Sequence, residues 1–133
     1  MAEAIARAQF EGHDEDLFFG SAGVAAFDGA HPSREAVEAL DSIGITLEGR
    51  SKALTPEMIK KADLILCMTE AHLATSEQMV EGDDDSLTKI HLLEADGESV
   101  PDPIGMGLEA YLTLAAHLQE VIPPRIESLL APA

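Results

Sequence analysis

At 133 residues and 46% hydrophobic composition, the chain is long and apolar enough for one domain with its own core, which excludes a disordered polypeptide. A net charge of −17 argues against nucleic acid and against an anionic membrane surface as partners, and no run of about 18 apolar residues is present to span a bilayer. One cysteine, Cys67, rules out an internal disulfide and fits a reducing compartment, so a cytoplasmic chain is expected.

The N-terminal stretch Met1-Ala2-Glu3-Ala4-Ile5-Ala6-Arg7 lacks the pattern of a signal peptide. Met1 to Phe10 reads as a helix with Met1, Ala4, Ile5 and Ala8 on one face. No capping residue precedes it, which leaves its first N–H groups without side-chain partners. Glu11 to Asp16 reads as an acidic loop. Leu17 to Val24 is a short apolar run bounded by glycines and predicts a buried strand. Ala25 to Pro32 follows as a loop.

Ser33 predicts the cap of a helix from Arg34 to Ile43, with Ala36, Val37, Leu40 and Ile43 facing inward and Gly44 at its exit. Ile45 to Lys52 is irregular. Thr55-Pro56-Glu57 is a helix start: a cap, a proline at the first helical position and an acid in the first turn. Asp63 to Met68 is a continuous apolar run suited to a strand buried on both faces of a parallel sheet. Thr69 caps the next expected helix, Glu70 to Val80. Gly82 to Ser86 reads as an acidic loop, and Lys89 to Leu93 as another strand. Leu108 to Ile122 is an amphipathic helix with Leu108, Tyr111, Leu112, Ala115, Leu118 and Ile122 on its stripe. Pro123-Pro124 is expected to interrupt it before a short helix from Arg125 to Leu130.

Strands alternating with helices predict a three-layer α/β/α fold with a parallel sheet. Ligands in such sheets sit at the carboxyl ends of the strands. The loops after Ser21, after Met68 and around Asp102 are therefore expected on one face.

Val100-Pro101-Asp102-Pro103-Ile104-Gly105-Met106-Gly107 is the stretch best suited to chemistry. Each proline fixes its own φ and holds the preceding residue extended, so Asp102 stands on a stiff loop. A rigid, solitary acid suits proton donation to a leaving group; a carboxylate that merely closes a turn has the same pattern. The five histidines show no helical i,i+3 or i,i+4 pair, and Cys67 has no CxxC partner, so no metal site is expected. Asp83-Asp84-Asp85 lacks the spaced oxygens and glycine of a calcium loop. Cys67 lies within a strand and reads as a core thiol. A phosphate-binding nucleophile loop needs an arginine six positions after its cysteine, and Leu73 stands there.

Several of these segments, taken in order, resemble one family. Ser21-Ala22-Gly23-Val24, Ala36-Val37-Glu38-Ala39-Leu40, Leu54-Thr55, Ala62 to Thr69 and Asp102-Pro103-Ile104-Gly105 are similar to the low-molecular-weight protein tyrosine phosphatases, in particular to the bacterial branch that includes protein arginine phosphatases. The resemblance implies a four-stranded parallel sheet with helices on both faces. It implies a phosphomonoesterase in which a thiolate attacks phosphorus, backbone N–H groups and an arginine hold the phosphoryl oxygens, and an acid protonates the leaving group. Asp102 matches that acid, and Ser21 matches a serine that supports the phosphate loop. A phosphorylated protein is the implied substrate, and no cofactor is implied.

The departures are as informative. The family's first strand and its Cys-x5-Arg loop run directly into Met-Ala-Glu, the residues with which these 133 begin. Met1 is thus expected to be an internal methionine, and the domain to be inactive without that strand and loop. A supporting histidine of the family falls at Gly49. Ile104 stands where an aromatic residue usually follows Asp-Pro, and it cannot stack on a phenol ring. Arsenate reductases of the same fold need additional cysteines. The alternative is a non-catalytic, phosphatase-like binding protein whose sheet is completed by a dimer or a partner strand.

Overall fold

The computed structural model describes residues 1–10, 19–23, 31–47 and 52–130. The expected acidic loop at 11–16, residues 17, 18 and 24 of the strand expected at 17–24, most of the loop at 25–32, and Gly49 lie outside them. The described part of that expected strand, 19–22, is not a buried strand, since Gly20, Ser21 and Ala22 are exposed and Gly23 alone makes a bridge.

The described elements are α1 (Ala2–Gln9), α2 (Arg34–Asp41), α3 (Pro56–Lys61), β1 (Ile65–Cys67), α4 (Glu70–Met79), α5 (Asp84–Leu87), β2 (Ile90–Leu92) and α6 (Leu108–Leu130). Local chemistry starts the middle helices where it was expected to. The side chains of Ser33, Thr55 and Thr69 accept hydrogen bonds from the N–H groups of Ala36, Met58 and His72. At the exit of α2, Gly44 takes φ +78°, its N–H reaches the Asp41 carbonyl (3.0 Å), and the Ile45 N–H reaches Leu40 (2.9 Å). That pair of bonds is a Schellman closure, which needs the left-handed conformation glycine adopts freely.

β1 and β2 pair in parallel, with Ile65 opposite Ile90, Leu66 opposite His91 and Cys67 opposite Leu92. They form a two-stranded sheet among the described residues. Gly23 makes one further parallel bridge, to Ala53: its N–H donates to the Lys52 carbonyl (2.9 Å) and its carbonyl accepts from Leu54 (3.0 Å).

Side-chain alternation along β1 feeds two cores. Leu66 and Met68 pack with Ile5 of α1, Leu40 of α2, Leu93, and Leu118, Ile122 and Ile126 of α6. Ile65 and Cys67 pack with Ile59 of α3, Val80, Ile90 and Leu87. The molecule is therefore α/β, with α1, α2 and α6 on one face of a parallel sheet and α3, α4 and α5 on the other.

Three expectations are corrected. First, 82–86 is not simply a loop. Asp83 caps α5, accepting from the Ser86 N–H (3.5 Å) and the Ser86 hydroxyl (2.7 Å). Second, Pro123-Pro124 does not break the last helix. Pro123 has no N–H for the Gln119 carbonyl, but the Gln9 side-chain amide of α1 donates to that carbonyl instead (2.8 Å). Ile122 and Ile126, four residues apart, then bury on the same face across the prolines. Third, some expected inward residues at helix ends face out. Ala8, Ile43 and Leu108 are exposed, while Ala6, Ala39 and Ile126 are buried.

Candidate functional site

The loop carrying Asp102 is anchored at the carboxyl end of β1. The buried residue Val100 donates its N–H to the Met68 carbonyl (2.6 Å). One residue earlier, the Ser99 hydroxyl accepts the N–H of Glu70 in the first turn of α4 (3.2 Å). The expectation that the segment after Met68 and the segment around Asp102 share one end of the sheet is therefore met.

Within the loop, an Asp102 carboxylate oxygen accepts the Ile104 N–H (3.1 Å), and the Met106 N–H donates to the Pro103 carbonyl (2.9 Å). Gly105 and Gly107 take φ +76° and +89°, conformations that side-chain-bearing residues rarely adopt. Two successive turns thus hold Asp102 in solvent, with one carboxylate oxygen engaged locally. Ile104 and Met106 stand beside it, 70% and 71% exposed, the two most exposed large apolar side chains among the described residues.

Ser21 is exposed and is held by α1. Its hydroxyl donates to Glu3 in the first turn of α1 (2.7 Å), and Arg7 of the same helix donates to the Phe19 carbonyl (2.7 Å). The segment before the Gly23 bridge is thereby fixed to both turns of α1. Ser21 and Asp102 share no hydrogen-bond partner.

The backbone of β1 divides its groups between two sides. The Ile65 N–H donates to Lys89 (2.9 Å), and the Cys67 carbonyl accepts from Leu93 (2.8 Å). Alternation then turns the N–H and C=O of Leu66 away from β2, toward an edge where no strand of the described residues lies. The opposite edge of the ribbon is finished differently. There the outward Leu92 carbonyl accepts two bonds from the Arg125 guanidinium (3.1 and 2.9 Å). Nothing in the sequence around Arg125 announces this role, since the contact spans 33 residues.

Cys67 is buried, with its sulfur 3.8 Å from the Ser76 hydroxyl. Burial pushes the thiol pKa up, which disfavours the thiolate a nucleophile needs; the Ser76 contact opposes that shift and Glu77 adds to it. It is a core thiol, as its place in the strand predicts. No cluster of three or more His, Cys, Asp or Glu side chains among the described residues could hold a metal, and no described helix is long and apolar enough to cross a membrane.

Known proteins share both the sequence pattern and the geometry. Residues 1–131 match the family described as low molecular weight phosphotyrosine protein phosphatase. A protein-arginine-phosphatase of Bacillus subtilis (strain 168) is 31% identical over 123 residues, which make up 92% of this chain and 82% of that protein. Among solved structures, the arginine phosphatase YwlE, in a mutant with a phosphorylated active-site serine, superposes with a TM-score of 0.86 at 28% identity, covering 97% of this chain and 85% of that one. A low molecular weight protein tyrosine phosphatase from T. tengcongensis gives 0.83 at 34% identity, covering 97% and 88%. A parallel α/β core, an Asp-Pro loop at the carboxyl end of β1 and a match along nearly the whole chain agree with one another, and the chain belongs to the low molecular weight phosphotyrosine protein phosphatase family.

Proposed function

We propose that these residues form the scaffold and the acid half of a cytoplasmic protein phosphatase, acting on phosphoarginine or phosphotyrosine in a phosphorylated protein. Asp102 is the general acid: it delivers a proton to the leaving nitrogen or oxygen as the bond to phosphorus breaks. Ser21, fixed against the first turn of α1, braces the loop that holds the phosphoryl group. The nucleophile and the phosphate-binding arginine belong to a Cys-x5-Arg loop that the 133 residues do not contain. Alone they are a single phosphatase-like domain without turnover.

The observation that supports this reading is the outward edge of β1, which meets no strand among the described residues and ends at the loop bearing Asp102. A strand seated there would leave its own loop at the same carboxyl end, facing Asp102. Ile104 favours phosphoarginine of the two substrates, because an aliphatic side chain offers no ring for a phenol to stack on. The similarity to a protein-arginine-phosphatase points the same way.

The missing nucleophile also motivates a second reading, a non-catalytic interaction protein whose open edge pairs with a partner strand or with a second copy. One experiment separates the two. The 133-residue chain, and the same chain joined ahead of Met1 to a strand and Cys-x5-Arg loop, are assayed with para-nitrophenyl phosphate. The catalytic reading predicts turnover only from the joined chain. Silence from a folded joined chain supports the interaction reading, and sedimentation then tells dimer from monomer.

A further inference from the structure

We infer that this fold is built for high ionic strength: in dilute buffer its carboxylates repel one another enough to loosen it, and monovalent salt tightens it. The charge imbalance is large, 25 acidic residues against 8 basic ones. The arrangement does little to relieve it. Among the described residues the ion pairs between an arginine or lysine and a carboxylate are Arg7–Glu3 (2.9 Å) and Arg34–Glu38 (2.8 Å), each within one turn of a single helix. Arg125 and Lys89 instead direct their hydrogen bonds to the carbonyls of Leu92 and Lys60. The charges of Lys60 and Lys89 do reach Asp83, whose carboxyl is held below the usual range, first by its Ser86 hydrogen bond and then by those lysines.

The N-terminal turns of the helices favour the acids they carry, from Glu3 to Glu109, but three C-terminal ends add to the repulsion. The last turns of α2, α4 and α6 contain no basic residue and carry Asp41, Glu77 and Glu127, against the negative end of each helix dipole. All three are exposed, so added ions reach them freely. A net charge far from zero destabilises the compact state, and screening shrinks that penalty as the Debye length falls from about 10 Å at 0.1 M to about 3 Å at 1 M.

The test is a set of thermal melts of the 133-residue chain by circular dichroism, from 0.05 to 2 M KCl, beside the variant Asp41→Lys/Glu77→Lys/Glu127→Lys. These three positions lie outside the proposed catalytic machinery. The wild-type Tm is expected to rise by roughly 10 °C or more, with most of the rise below about 0.5 M, where screening changes fastest. The variant is expected to melt higher than wild type at 0.05 M, with the gap closing at 2 M. A flat wild-type Tm overturns the inference, as does a rise confined to the highest salt, where strengthened apolar burial acts instead. A constant gap between the two chains, or a wild type unfolded at every salt concentration, also overturns it. If the variant does not fold, the position of the wild-type rise along the KCl series decides alone.

Discussion

The two outer edges of the β1–β2 ribbon are built to opposite standards. At the β2 edge, the outward carbonyl of Leu92 receives two hydrogen bonds from Arg125, a charged side chain that also blocks further pairing. At the β1 edge, Leu66 presents its N–H and C=O with no strand of the described residues to meet them. Natural sheets protect their true edges with charge, proline or a covering element. Among the described residues the β2 edge is finished in that manner and the β1 edge is not. The difference separates a protected edge from an unprotected one, and the Asp102 loop hangs from the end of the unprotected one.

Prolines break the comparison most directly. Cys67→Pro removes an N–H that points into the ladder with β2 and should cost about 3 kcal/mol or more, measured against Cys67→Ala by urea denaturation. Leu66→Pro removes only an outward N–H. Measured against Leu66→Ala, it should cost clearly less. Equal costs would mean that the two faces of β1 are not distinct.

The covered edge gives the next largest effect. Arg125→Met keeps the apolar stem but strips the Leu92 carbonyl of both bonds, and should cost about 1.5–3 kcal/mol in the same titration. A change below about 0.5 kcal/mol would show that the guanidinium does not protect this edge.

A smaller effect sharpens the account of Cys67. Its folded pKa is raised, so the unfolded chain ionises first as pH climbs. Stability is therefore retained at and below neutral pH and declines above the ordinary cysteine range. Cys67→Ser should remove part of that alkaline decline. At pH 8 the native thiol should react with iodoacetamide far more slowly than the urea-unfolded chain does. Equal rates would contradict a core thiol.

What could be read from the sequence follows the range of the interactions. Ser33, Thr55 and Thr69 act on N–H groups three residues away, so their helix starts were legible. The apolar runs of β1 and β2 were legible because burial on both faces leaves few polar residues. The start of α5 also had a local signal, an aspartate three residues before a serine, but the run of acids around it resembled a solvated loop. The continuity of α6 was not legible, because Gln9, which meets the carbonyl freed by Pro123, lies 110 residues away in sequence. The stiffness of the Asp102 loop was legible from its prolines, but its chemical role was not, because a carboxylate that closes a turn has the same pattern and only the family resemblance favours the acid. Arg125 was not, since a base on a helix surface gives no sign of the carbonyl it will reach.

The most direct measurement is of phosphate release from para-nitrophenyl phosphate and from a phosphoarginine peptide. It compares the 133-residue chain, the chain joined to a strand and Cys-x5-Arg loop, and the joined chain with Asp102→Asn. The account predicts no turnover from the first, turnover from the second, and a loss of about 100-fold or more in kcat from the third. Turnover by the 133 residues alone, or a joined chain indifferent to Asp102→Asn, would contradict it.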